Sequence, residues 1–162
     1  MQEEEFVEIL ANHQGIIHKI CHLYSKSEEE RKDLFQEIVY QLWRSAPSFD
    51  PGKNIQFTTW MYRVALNTAI THLRNTHKTP ETEDLTFRLE NSITEEAGKE
   101  DDYIALYRAI KQLNKIDRSI ILLFLDSKSY QEIAHIMGIT ESNVGVKLNR
   151  IKKKLKKLFN YA

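Results

Sequence analysis

One cysteine, three prolines and five glycines are all that 162 residues hold of these three types. A lone thiol, Cys21, excludes a disulfide within the chain and fits a reducing compartment. Scarce Gly and Pro leave little material for tight turns and sheet corners, so long helices are expected and sheets are not. No apolar run approaches the ~20 residues that span a membrane. The opening MQEEEFVEIL is acidic and unlike a signal peptide. A cytoplasmic protein without membrane insertion is expected. Also missing are a P-loop, a Gly-rich dinucleotide turn, an HExxH pair and a nucleophile elbow. No enzyme activity, catalytic residue, cofactor or small-molecule substrate is therefore expected. His18, Cys21 and His22 stand at helical spacing, but structural zinc takes four ligands and no second cluster completes the set, so no metal is expected.

The formal net charge of zero conceals a strong asymmetry. Residues 1–75 carry 8 basic and 10 acidic side chains, residues 76–102 carry 3 and 9, and residues 103–162 carry 12 and 4. A basic final third behind an acidic middle points to a polyanionic partner.

Helical periodicity organises what remains. Residues 3–24 read as one helix with Phe6, Ile9, Leu10, His13, Ile16, Ile17, Ile20 and Leu23/Tyr24 on its apolar side. Ser27 and Glu30 form a capping box that opens a helix over about 28–46, with Leu34, Phe35, Ile38, Val39 and Leu42 inward and Trp43 beside them. Pro47 stops it, and Asp50-Pro51-Gly52 is strong turn chemistry. A helix over 57–74, capped by Thr58 or Thr59, follows. It has a wide apolar stripe through Met61, Val64, Ala65, Thr68 and Ala69, and a polar one of Thr59, Arg63, Asn67, Thr71 and Arg74. Phe57, Trp60 and Tyr62 crowd its first turn. Aromatics, cations and an amide on one helical surface suit unpaired bases; taken alone, a core helix with its aromatics buried is the plainer reading. Residues 76–100 have no sustained period and read as an acidic, partly disordered linker, with a packed helix near Leu85–Leu89 as the competing reading.

Helices are next expected over 101–114 and, capped by Asp117, over 118–126. Ser129-Tyr130-Gln131-Glu132 is a second capping box. It opens a short helix, 130–137, with Ile133, Ala134 and Met137 inward. Gly138 then stands where a left-handed terminator is needed, and Thr140 caps a last helix, 141–157, cored by Val144, Leu148, Ile151, Leu155 and Leu158. This is a helix-turn-helix in length, turn residue and buried positions. Off the core stripe lie Ser142, Asn143, Gly145, Val146, Lys147, Asn149 and Arg150, and Lys153 and Lys154 follow where phosphates are in reach. Gly145 could admit a base or backbone closely.

Three pieces together, DLFQEIVYQLW (33–43), FTTWMYRVALNTAITHLR (57–74) and the block from Tyr107 to Leu155, resemble a bacterial sigma factor of the sigma-70 superfamily, extracytoplasmic-function (ECF) type. The resemblance implies an all-α chain of two small helical domains: region 2 over 1–76, a flexible acidic linker over 77–101, and region 4 over 102–162. It implies core RNA polymerase and promoter DNA as partners, and in many members an anti-sigma factor. By position it assigns polymerase contacts to Asp33, Gln36, Glu37, Gln41 and Arg44. It assigns contacts with the −10 element to Phe49, Asp50, Lys53, Asn54, Phe57, Trp60, Arg63, Asn67 and Arg74, with Trp60 either stacked on a base or packed inside. It assigns contacts with the −35 element to Ser142, Asn143, Gly145, Val146, Lys147, Asn149, Arg150, Lys153 and Lys154. Members often carry Pro near Asn114, a small residue pair where this chain has Ser142-Asn143, and basic or polar residues where it has Gly145 and Val146. The alternative is a helix-turn-helix regulator that binds DNA without polymerase and uses residues 1–75 to dimerise or sense a ligand.

Overall fold

A computed structural model describes residues 2–49, 56–75 and 99–160. The chain forms two compact units, Met1–His77 and Lys78–Ala162. The described residues form eight α-helices and one 3-10 turn, with no strand among them.

In the first unit the helices are α1 (Glu3–Asn12), α2 (Gln14–Tyr24), α3 (Glu28–Ser45) and α4 (Phe57–Asn75), with a 3-10 turn at Ala46–Ser48. The single first helix expected over 3–24 is in fact two. His13 leaves helical geometry at φ −122°, ψ 19°. Its backbone N–H bonds back to Leu10, and its Nδ1 lies 2.9 Å from the Ile9 carbonyl. Asn12, His13 and Gly15 are all weak helix formers, so a break here costs little. α2, α3 and α4 then pack on one another around Ile17, Ile20, Leu34, Ile38, Leu42, Met61, Ala65 and Ala69, all of them fully buried. Cys21 is fully buried among them too.

Ser27 caps α3 by accepting from the Glu30 backbone N–H at 3.1 Å. The Glu30 carboxylate does not complete the expected box: it accepts from the Lys26 N–H at 2.8 Å and lies 3.6 Å from His72 Nε2 on α4. Neither Thr58 nor Thr59 caps α4. The helix starts at Phe57, Trp60 N–H bonds to the Gln56 carbonyl, and Thr59 is only 6% exposed, so it leaves the polar stripe for the core.

The second unit holds α5 (Lys99–Lys111), α6 (Lys115–Leu125), α7 (Tyr130–Met137) and α8 (Glu141–Asn160). α5 begins within the stretch read as linker; the competing helix near Leu85–Leu89 lies outside the described residues. The cap of α6 is Asn114 rather than Asp117. Its side-chain oxygen accepts from the Asp117 N–H at 2.9 Å, which makes Asp117 the third helical residue, an acid at the positive helix end. α8 is the spine against which α5, α6 and α7 all pack. Its stripe of Val144, Leu148, Ile151 and Leu155 is buried as the period requires, and Leu158 is half-buried.

Candidate functional site

α3 has two usable faces. Leu34, Ile38 and Leu42 are its inward side. Asp33, Gln36, Glu37 and Arg44 are exposed, and half-buried Gln41 donates from Nε2 to Glu37 at 3.2 Å. Helical spacing puts these five within about half of the circumference. Two aromatics belong to the same surface and were not assigned to it from the sequence. Tyr40 is 55% exposed and Trp43 40%. Tyr40 stands at i+4 from Gln36, i+3 from Glu37 and i−4 from Arg44, a spacing that could have found it. Trp43 packs its ring on Phe6 of α1 at 4.9 Å, and the two help line a shallow groove of about 370 Å³ with Phe35, Val39 and Tyr40. Phe35 and Val39 are thus half-buried groove walls rather than core.

On α4, Arg63, Asn67 and Thr71 are exposed on one face. Phe49, Phe57 and Trp60 form a half-buried aromatic cluster just before that face, with every centroid pair at 5.4–5.5 Å and His13 5.5 Å from Phe57. Trp60 is therefore neither free nor buried: one side packs on two rings. Tyr62, read with the crowded aromatics, is 2% exposed and belongs to the core. Asp50, Lys53 and Asn54 lie outside the described residues, as does the side chain of Arg74.

α7 and α8 form the helix-turn-helix. Ser129 accepts from the Glu132 N–H and Glu132 accepts from the Ser129 N–H, at 3.1 and 3.2 Å. Those bonds hold the Glu132 carboxyl below the usual carboxylate range, the backbone bond first. Gly138 turns at φ 69°, a left-handed conformation that suits glycine. Thr140 accepts from the Asn143 N–H at 3.1 Å and starts α8. Ile136 rather than Met137 is the third buried residue of α7. Ser142, Asn143, Val146, Asn149, Arg150, Lys153 and Lys154 are exposed, and Lys147 is half-buried. Gly145 lies on the flank, where a Cβ would meet Tyr130 Cε2 at 3.6 Å.

Several cations are used internally. Arg118 donates to the Leu113 and Lys111 carbonyls and so closes α5. Lys128 faces Glu132 at 3.8 Å, and Lys152 sits 4.3 Å from the centroid of the Phe124 ring. On α8, Arg150, Lys153, Lys154, Lys156 and Lys157 are exposed cations.

His18, Cys21 and His22 do not converge. The His18 ring stacks on Phe35 at 4.9 Å, Cys21 points into the core and His22 lies 3.2 Å from Arg31 Nη1. No group of three or more His, Cys, Asp or Glu among the described residues could hold a metal ion. No helix of the described residues is long and apolar enough to cross a membrane.

Two family descriptions match the chain in order. Sigma-70 region 2 matches residues 9–79, and Sigma-70, region 4 matches residues 103–155. The chain belongs to the sigma-70 family, ECF type. It is 23% identical over 159 residues to the ECF RNA polymerase sigma factor SigM of Mycobacterium tuberculosis, covering 96% of this chain and 78% of that protein. It is 26% identical over 171 residues to SigW of Bacillus subtilis, with 96% and 89% covered. In fold it is similar to the sigma factor RpoE of Bartonella quintana, solved with the anti-sigma factor NepR: TM-score 0.72, 18% identity, with 97% of this chain and 98% of that one covered. CnrH, solved with the cytosolic domain of CnrY, gives a TM-score of 0.70 at 20% identity, covering 99% of this chain and 90% of that one.

Proposed function

We propose that this chain is an alternative sigma factor, which binds core RNA polymerase and directs it to promoters, with no catalysis of its own. The observation that carries the reading is the ordered pair of sigma-70 regions on two helical units, each with an uncovered face suited to its task. A regulator that acts without polymerase has no use for region 2.

On region 2, Asp33, Gln36, Glu37, Gln41 and Arg44 dock on polymerase, and Tyr40 and Trp43 add apolar area beside them. A surface with exposed aromatics set among charges has the composition of a binding patch. The −10 element is met by α4. Arg63, Asn67 and Arg74 hold the separated strand, while Phe49, Phe57 and Trp60, with Asp50, Lys53 and Asn54 of the preceding loop, receive an unstacked base. Unstacking costs a few kcal/mol, which a pocket and ring stacking offset. Region 4 reads the −35 element with the N-terminal half of α8 in the major groove. Ser142, Asn143, Asn149 and Arg150 reach base edges, and Lys147, Lys153 and Lys154 reach phosphates. The chain acts in the cytoplasm, where polymerase works, and an anti-sigma factor is the partner that would hold it inactive.

Run-off transcription with sigma-free core polymerase and genomic templates tests this. Discrete transcripts that appear only when the protein is added are the expected result. Asp33→Lys with Glu37→Lys should abolish co-elution with core while leaving the helical content intact. A protein that neither supports transcription nor co-elutes with core would return the reading to a polymerase-independent regulator, sought through a palindromic operator.

A further inference from the structure

The solvent face of α8 carries a single apolar side chain among its described exposed residues. Val146 is 49% exposed. It stands within one turn of Ser142, Asn149 and Arg150, all exposed and all able to hydrogen-bond. Its Cβ points away from the Val144–Leu148–Ile151 stripe. A valine does little for the helix here: it packs on no core, and a β-branched residue is a weaker helix former than the Lys and Arg further along the face. No side chain shields it from the preceding position either, because that position is Gly145, with the Tyr130 ring beyond it.

Its place is the centre of the surface that the proposed function sets into the major groove, and the inference rests on that reading. In the major groove the 5-methyl group of thymine is the feature read by apolar contact. We propose that Val146 reads a thymine methyl in the −35 element, with Asn149 and Arg150 hydrogen-bonding the neighbouring base edges. The specificity of this chain would then combine one shape-and-methyl contact with polar readout, instead of resting on hydrogen bonds alone.

The test uses holoenzyme formed from the full chain and core polymerase, on a promoter fragment from which it initiates. Each −35 thymine is replaced singly by deoxyuridine, which removes only the methyl. One replacement is expected to weaken binding of the wild-type holoenzyme about fourfold, the worth of one buried carbon. The same replacement should leave the Val146→Ser holoenzyme unaffected. Val146→Thr, which keeps one methyl, should retain part of the response. Because the side chain is exposed, neither variant removes core packing. Equal losses in wild type and Val146→Ser, or a protected −35 element with no methyl-sensitive thymine, would overturn the role of Val146 and leave the function standing. A holoenzyme that initiates without protecting the −35 element would overturn the −35 reading itself, and this inference with it.

Discussion

Gly145→Ala is expected to stabilise the protein. Gly145 lies inside α8, where glycine is about 0.8–1.0 kcal/mol less favourable than alanine. The added Cβ would sit 3.6 Å from Tyr130 Cε2, an ordinary van der Waals contact, so no strain cancels the gain. For a unit of this size, about 1 kcal/mol raises Tm by roughly 4–8 °C. The assay is thermal unfolding of the full chain by circular dichroism and calorimetry, repeated in urea to obtain the free-energy change at constant slope. An unchanged or lowered Tm would refute the placement of Tyr130 beside α8. Promoter binding supplies a second readout. The Cβ points toward Tyr130, about 100° round the helix from Val146, so −35 binding should be unchanged. A more stable protein that lost −35 affinity would instead show that DNA approaches Gly145 directly, as the glycine suggested from sequence.

Ser129→Ala removes one half of the α7 capping box and should cost about 1 kcal/mol, read from urea unfolding. Glu132 is held below its ordinary pKa, so its contribution to stability is present above the usual carboxylate value of 4.5 and is lost as pH falls through the lower folded value; wild type should lose more Tm than Glu132→Gln over that acid window. Burial pushes the Cys21 thiol up to about 12, so it should resist a thiol-specific disulfide reagent at pH 8 until the protein is denatured, and rapid labelling of the native chain would contradict its burial. Leu148→Ala opens a cavity in the fully buried stripe of α8 and should cost about 2–5 kcal/mol, whereas Arg63→Ala, on an exposed position, should leave stability unchanged and weaken binding of the melted −10 strand.

The comparison between sequence and structure divides along the range of the interactions. Ser129, Glu132, Gly138 and Thr140 were legible because a cap or a left-handed turn is decided within three or four residues. The buried stripe of α8 was legible because a 3.6-residue period needs only one flat partner. The exposed polar side of α3 and the exposed side of α8 follow from the same periodicity. Assignment of those sides to polymerase and promoter came from the ordered resemblance of both halves to sigma factors, and not from any single residue.

What tertiary structure decided is which member of an ambiguous class goes where. Tyr62 is core and Tyr40 is surface, although both are tyrosines in amphipathic helices: once the helices pack, one is 2% exposed and the other 55%. Trp60 packs on Phe49 and Phe57 across a loop that local periodicity does not register. Lys152 and Arg118 look like their basic neighbours in the sequence, yet one rests on Phe124 and the other closes α5. The break at His13 is likewise invisible to an apolar stripe that continues through it. Local backbone preference and one-faced burial are properties of short sequence windows; the contacts that sort aromatics and cations between core and surface join residues far apart in the chain, and exist only once the helices have packed.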